Sequence, residues 1–188
     1  RQRVAQAASR KFSVAVRAMD LRFVQYPILC GHYIGDAIAG AERRIDNCLV
    51  EGALAQRERL GVYAGEVGTS AVVLQARNEE IRKRGTGKGA VIVGLGEYGN
   101  LSTSDVSETV RSGVLRLLLH TLDREGGERT TAGEVQELTL ASLLIGYNST
   151  THISVIDSIA AIVRGVLEGM QERRFGRIVN ITSAMVTT

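Results

Sequence analysis

One unit, written three times, limits the folds open to this chain: a short apolar run, a glycine that ends it, a polar loop, then a helix. In "YPILCGHYIGDAIAGAERRIDNCL", Ile28–Cys30 reads as strand, Gly31 ends it, His32–Asp36 is loop and Ala37–Leu49 is helix. The stretch opening with "VIVGLGEYGNLS" gives Ala90–Val93 as strand, Gly94–Ser104 as loop and Asp105–Leu122 as helix. The third copy runs Leu140–Ile145 as strand, Gly146–Ile153 as loop and Val155–Met170 as helix.

Spacing carries the helix assignments. Val106, Val110, Val114, Leu117, Leu118 and Thr121 recur three or four apart and share one face, as do Val155, Ile159, Ile162, Val163, Val166 and Met170. Ser154 followed three residues later by Asp157 has the form of a capping box, and Asp36 is a candidate cap for the first helix. The second and third strands have almost no polar residues. Runs apolar on both faces belong to strands covered on both sides. Phe12–Arg17, Thr69–Gln75 and Arg177–Ile181 are further strand candidates. Gly65 and Gly68 read as a turn, and Glu125–Gly133 as an exposed loop. The sole proline, Pro27, falls at a strand start, where its missing N–H does least harm. The fold expected is α/β: a three-layer α/β/α arrangement around a mostly parallel, mixed sheet.

A chain of 188 residues suits one domain with a real core, and 44% apolar with 23% charged residues is globular composition. Disorder and collagen-like repetition are excluded. Net charge is only +3. Bases and acids interleave, so no nucleic acid is expected as partner; the basic run "RKRGTGK" (Arg82–Lys88) reads as a solvated loop. Cys30 and Cys48 make neither a disulfide framework nor a metal set. No apolar run approaches the roughly 20 residues of a membrane helix, and no secretory start is visible, so a cytoplasmic location is expected.

In open α/β sheets ligands bind beyond the carboxyl ends of the strands. The three glycine loops should therefore line one rim and bring free backbone N–H groups together there. Gly31, His32, Tyr33 and Asp36 come from the first loop, Gly94, Gly96, Tyr98 and Gly99 from the second, and Gly146, Tyr147 and Asn148 from the third. Tyrosines beside free N–H groups suit a base or sugar above a phosphate, and Asp36 and Asn148 suit ribose hydroxyls. The ligand expected is a phosphorylated small molecule.

Gly94, Gly96 and Gly99 have the G-x-G-x-x-G spacing of a nicotinamide site. However, the polar extension Asn100–Ser104 delays the helix, and no acid closes a second strand about 20 residues on. "GTGKG" (Gly85–Gly89) lacks the Ser/Thr of a P-loop and precedes a strand instead of following one. Cys30 and His32 raise the thought of a Cys–His pair, but a buried structural cysteine is the simpler reading. No catalytic residue, metal or cofactor is assigned.

The order "RLGVYAGEVGTSAVVL", "GAVIVGLGEYGNLSTSDVSETVRSGVLRLL" and "SLLIGYNS…ISVIDSIAAIVRGVLEG" resembles the macro-like N-terminal domain of leucine aminopeptidases over about Ile45–Met170. "DLRFVQYPILCGHYIGDAIAGAE" is similar to accessory domains of bacterial proteins that carry caspase-like (CHAT) protease domains. Macro domains bind ADP-ribose, so the resemblance implies a fold capable of it. The metal-binding peptidase domain of the aminopeptidases has no counterpart here. Together these imply a non-catalytic regulatory or assembly module of a larger, protease-associated bacterial system, with a protein partner or a homo-oligomer. An enzyme acting on ADP-ribose derivatives is the alternative. The tail "MQERRFGRIVNITSAMVTT" is similar to a short-chain dehydrogenase segment, with Ser183 at the position of its serine, but the tyrosine and lysine that should follow are absent. A fragment of such an oxidoreductase is the remaining reading. The domain division expected is 1–172 for the macro-like unit and 173–188 for an added strand or a chimeric tail.

Overall fold

The computed structural model describes residues 12–75, 87–124, 138–147 and 151–172, together with the backbone of 180–185. Among the described residues, six strands form one sheet: β1 (Ser13–Ala18), β2 (Pro27–His32), β3 (Ser70–Leu74), β4 (Gly89–Gly94), β5 (Thr139–Ser142) and β6 (Asn180–Met185). Their order is β1-β6-β5-β2-β4-β3, and every pairing is parallel except the antiparallel β3–β4 edge. The expected three-layer, mostly parallel sheet is the one observed. Among the described residues, four α-helices cover it: α1 (Gly40–Leu49), α2 (Ala53–Arg59), α3 (Thr103–Arg124) and α4 (Val155–Glu172).

Strand alternation divides the core in two. On one face Leu29, Val91, Val93 and Leu140 meet the Val106–Val110–Val114–Leu117 stripe of α3 and Ile162 and Val166 of α4. On the other, Ile28, Cys30, Ala90 and Ile92 meet Ile45 and Leu49 of α1 and Leu54 of α2. Helices α3 and α4 pack closely because Gly165 and Gly169 of α4 face Ser107, Val110 and Val114 of α3. Ser107 Oγ donates across this interface to the Ala161 carbonyl (2.9 Å).

Several boundaries shift for local reasons. Helix α3 starts two residues before the expected Asp105, because Ser102 and Asp105 form a capping box: the Asp105 N–H donates to Ser102 Oγ (3.2 Å) and the Ser102 N–H to Asp105 Oδ2 (2.9 Å). Ser154 and Asp157 make the expected box at α4, with the Asp157 N–H 3.1 Å from Ser154 Oγ. Asp36 does not cap α1, which begins later at Gly40, behind Ala39, with no side-chain cap. Strand β5 stops at Ser142 instead of Ile145. Val155, placed on the buried stripe of α4, is exposed. The strand read at Arg177–Ile181 is Asn180–Met185, which sits between β1 and β5 and places Ser183 opposite Val16 and Ser142. Arg82–Arg84 and the Glu125–Gly133 loop lie outside the described residues.

Helix α2 has no counterpart in the sequence reading. Its cap comes from another helix: the buried Asp46 carboxylate accepts the Leu54 N–H (2.8 Å) and the Ala55 N–H (3.3 Å). An Asp46→Ala substitution strands one buried and one part-buried donor and removes a charge-assisted cap, so about 2 to 3 kcal/mol of stability should be lost. Urea unfolding of the two proteins measures it, and Asp46→Asn, which keeps one acceptor, should recover part of the loss.

Candidate functional site

The β2–β5 ladder ends at Leu29–Ser142, whereas β2 continues to His32 against β4. The β5-facing side of Cys30–His32 is therefore left without a strand partner, and the chain after β5 turns away along Leu143–Tyr147. This is also where crossovers diverge. The helix after β2 packs on one face of the sheet and the helix after β5 on the other, which leaves a crevice between the two strand ends.

An open cleft of about 230 Å³ occupies that crevice. Its walls are Cys30, Gly31 and Tyr33 from β2 and its loop, Ala41 from α1, Leu95 and Tyr98 after β4, and Leu143–Tyr147 after β5. All three glycine loops reach it. The cleft is positioned by polar residues of the helices behind it. Thr109 Oγ1 of α3 donates to the Gly94 carbonyl (2.7 Å). The buried Ser158 of α4 donates to the Ile145 carbonyl (2.8 Å) and accepts the Ile145 N–H (3.0 Å). Gly146 takes φ +74°, where an added Cβ would also meet Leu101 and Ile153 at under 3 Å, so only glycine fits this corner. Tyr33 and Tyr98 meet edge to face at 5.2 Å, and the rings of Tyr98 and Tyr147 are about half exposed at the mouth.

Of the sequence-selected residues, Gly31, Tyr33, Tyr98, Gly146 and Tyr147 line the cleft. Gly94, Gly96 and Gly99 shape the second loop without lining it, and Asn148 lies outside the described residues. Asp36 is exposed and makes no lining contact. Nor do the amides of Gly94, Leu95 and Gly96 stand free, as the glycine spacing suggested. The Gly94 N–H donates to Thr69 O (3.0 Å), the Leu95 N–H to His32 O (2.9 Å) and the Gly96 N–H to Gly65 O (2.8 Å). These glycines serve close packing against the Gly65–Thr69 turn. The sequence missed Leu95 and Leu143–Ile145 as lining, because their role depends on where β5 stops.

His32 turns away from the cleft. Its Nδ1 lies 3.0 Å from Glu42 Oε2, and its ring meets Tyr63 edge to face at 4.8 Å. Tyr63 donates its hydroxyl to Glu42 Oε1 (2.5 Å). His32 and Glu42 are both buried. Burial disfavours the charged ring, but the hydrogen bond and charge of Glu42, with Glu58 and Asp36 beyond, outweigh it and hold His32 above its ordinary pKa. Burial, then Glu42, pushes the Tyr63 phenol up. Cys30 shares the His32 face because Gly31 stays extended, yet no Cys–His pair forms. Burial and the Glu42 carboxylate push its thiol well above the usual range, the reverse of an activated nucleophile. Among the described residues, no group of three or more His, Cys, Asp or Glu could hold a metal ion, and no helix is long and apolar enough to cross a membrane.

Comparison with known proteins bears on the fold. No protein-family model matches the sequence, and no curated protein matches it either. Among solved structures, the macrodomain of Thermus aquaticus DarG aligns over 92% of this chain and 99% of that one, with 11% identity and a TM-score of 0.56. An Oceanobacillus iheyensis macrodomain mutant aligns over 92% of this chain and 85% of that one, at 9% identity and a TM-score of 0.51. A tomato leucine aminopeptidase mutant aligns over 97% of this chain but 34% of that one, at 15% identity and a TM-score of 0.56. The bottromycin maturation enzyme BotP aligns over 87% of this chain and 28% of that one (15% identity, TM-score 0.47), so this chain spans about a third or less of either enzyme. The chain has the macro-like α/β/α fold. More particularly, that fold is the one shared by macrodomains and the N-terminal domain of leucine aminopeptidases.

Proposed function

We propose that this chain is a non-catalytic, macro-like regulatory or assembly module that binds a phosphorylated, nucleotide-like ligand of the ADP-ribose class in the cleft between β2 and β5. The observation that carries this reading is the gathering of three loops at the one crevice where crossovers diverge, with Tyr98 and Tyr147 exposed at its mouth. The two rings offer a base or sugar an apolar platform, and the backbone of 144–147 faces the phosphates. Macro-like geometry supports that ligand class. Binding without chemistry is supported by the described lining residues, which include no carboxylate, imidazole or amine side chain and whose one thiol, Cys30, is buried with a raised pKa. Membership of a larger system is supported by the aminopeptidase, in which the matching part is a third of the chain. A protein partner is supported by the edge strand β1, whose Val14 and Val16 side chains are exposed.

Calorimetric titration with ADP-ribose tests the ligand. Wild type should bind, and Tyr98→Ala and Tyr147→Ala should each weaken binding about tenfold, or about 1.4 kcal/mol. Both residues are exposed, so melting temperatures should stay unchanged. Absence of wild-type binding at millimolar ADP-ribose, or full affinity in both variants, would overturn the assignment.

A further inference from the structure

The described residues contain one buried ionisable cluster, and the binding reading does not use it. His32 comes from the end of β2, Glu42 from the first turn of α1, and Tyr63 from the segment after α2. One carboxylate joins the three, at 3.0 Å from the imidazole and 2.5 Å from the phenol. We propose that this trio is a pH-sensitive latch that holds the end of β2 against the start of α1 and so sets the inner wall of the cleft.

The connection to the cleft is covalent and short. Gly31 and Tyr33, the chain neighbours of His32, line the cleft, as does Ala41, the neighbour of Glu42. The His32 carbonyl accepts the N–H of Leu95, another lining residue (2.9 Å). A change in the distance between His32 and Glu42 therefore displaces the wall from two sides.

The charges around the ring fix the direction of the switch. Glu42 faces His32 from α1, Glu58 from α2 and Asp36 from the connecting loop, while Cys30 and Asp46 lie near the Tyr63 end. A protonated His32 is the counterion of a buried carboxylate; a neutral one leaves that carboxylate with hydrogen bonds alone. Because the folded group sits above its unfolded value of about 6.5, the stabilisation is full below that pH and is lost as pH rises through the folded value. The latch is closed below the His32 midpoint and slack above it.

The test needs no ligand. Proton and nitrogen NMR on the full chain, taken from about pH 5.5 to pH 8.5, follows the His32 ring and the amides of Gly31, Tyr33 and Ala41. His32 should titrate with a midpoint above about 6.5, and the three amides should move with the same midpoint. In Glu42→Gln the midpoint should fall below about 6.5, since burial, the strongest single influence on the ring, is then opposed only by Glu58 and Asp36. If that variant does not fold, Tyr63→Phe keeps the carboxylate and should retain the raised midpoint and the coupled amides. A His32 midpoint at or below its ordinary value, or a ring that titrates while the three amides stay still, overturns the latch. The effect on binding rests on the function proposed above. Wild-type affinity for ADP-ribose should fall about fivefold as pH rises through the His32 midpoint, and His32→Gln should abolish that dependence. No binding on either side of that midpoint defeats the ligand assignment and leaves the NMR result to decide the latch.

Discussion

Gly94→Val should remove more than about 3 kcal/mol of stability, enough to leave a marginal domain largely unfolded. The first atom of any side chain here would overlap the Glu66 carbonyl oxygen and lie 2.5 Å from Thr69 Oγ1 and 2.7 Å from the Gly65 backbone. Two of these three are main-chain atoms, which cannot swing aside as a side-chain tip can. Gly94 cannot retreat either. Its N–H is tied to Thr69 O, its carbonyl to Thr109 Oγ1, and β2 pairs with it through His32. Urea unfolding measures the loss, and a change in midpoint worth less than about 0.5 kcal/mol would mean that the turn at 65–69 gives way freely.

Gly165→Leu should destabilise by a similar amount, by prying α4 from α3. A Cβ at Gly165 meets the Ser107 carbonyl oxygen and lies 2.8 Å from Val110 Cβ, and one turn on, Gly169 is nearly as tight against Val114 (3.2 Å). Leucine adds three further carbons in that gap, so overpacking of about 3 kcal/mol is expected, against well under 1 kcal/mol for Ile156→Ala on the exposed side of the same helix. Because α4 also holds the rim through Ser158 and Ile145, a Gly165→Leu protein that still folds should bind ADP-ribose more weakly. Equal unfolding midpoints for the Gly165 and Ile156 variants would show that the helices separate without loss.

The glycines explain why so much of the fold was legible in the chain and the site was not. Each strand–glycine–helix unit announces itself locally: an apolar run without polar breaks, a residue without a side chain, then apolar residues three and four apart. Helices α3 and α4 and strands β2, β4 and β5 follow from that. The same glycines misled about chemistry. Gly94 and Gly96 have the spacing of a phosphate-binding loop, but their amides are bonded to Thr69 and Gly65, residues about 25 to 30 positions earlier. Spacing within one loop carries no information about what a distant turn will place against it. Helix α2 was invisible for a related reason, since its cap, Asp46, belongs to the preceding helix.

The pairing of His32 with Glu42 shows the same boundary. Ten residues separate them, and what joins them is the angle at which α1 returns across the end of β2. By itself, the sequence determined the layers, the mostly parallel sheet and the gathering of three loops at one rim, because hydrophobic periodicity and strand ends are properties of neighbouring residues. Only the tertiary structure decided that β5 stops short of β2 and opens a cleft, that the N–H groups of Gly94, Leu95 and Gly96 are already bonded, and that a buried histidine meets a carboxylate behind the wall. Those outcomes depend on register and helix docking, which distant contacts set.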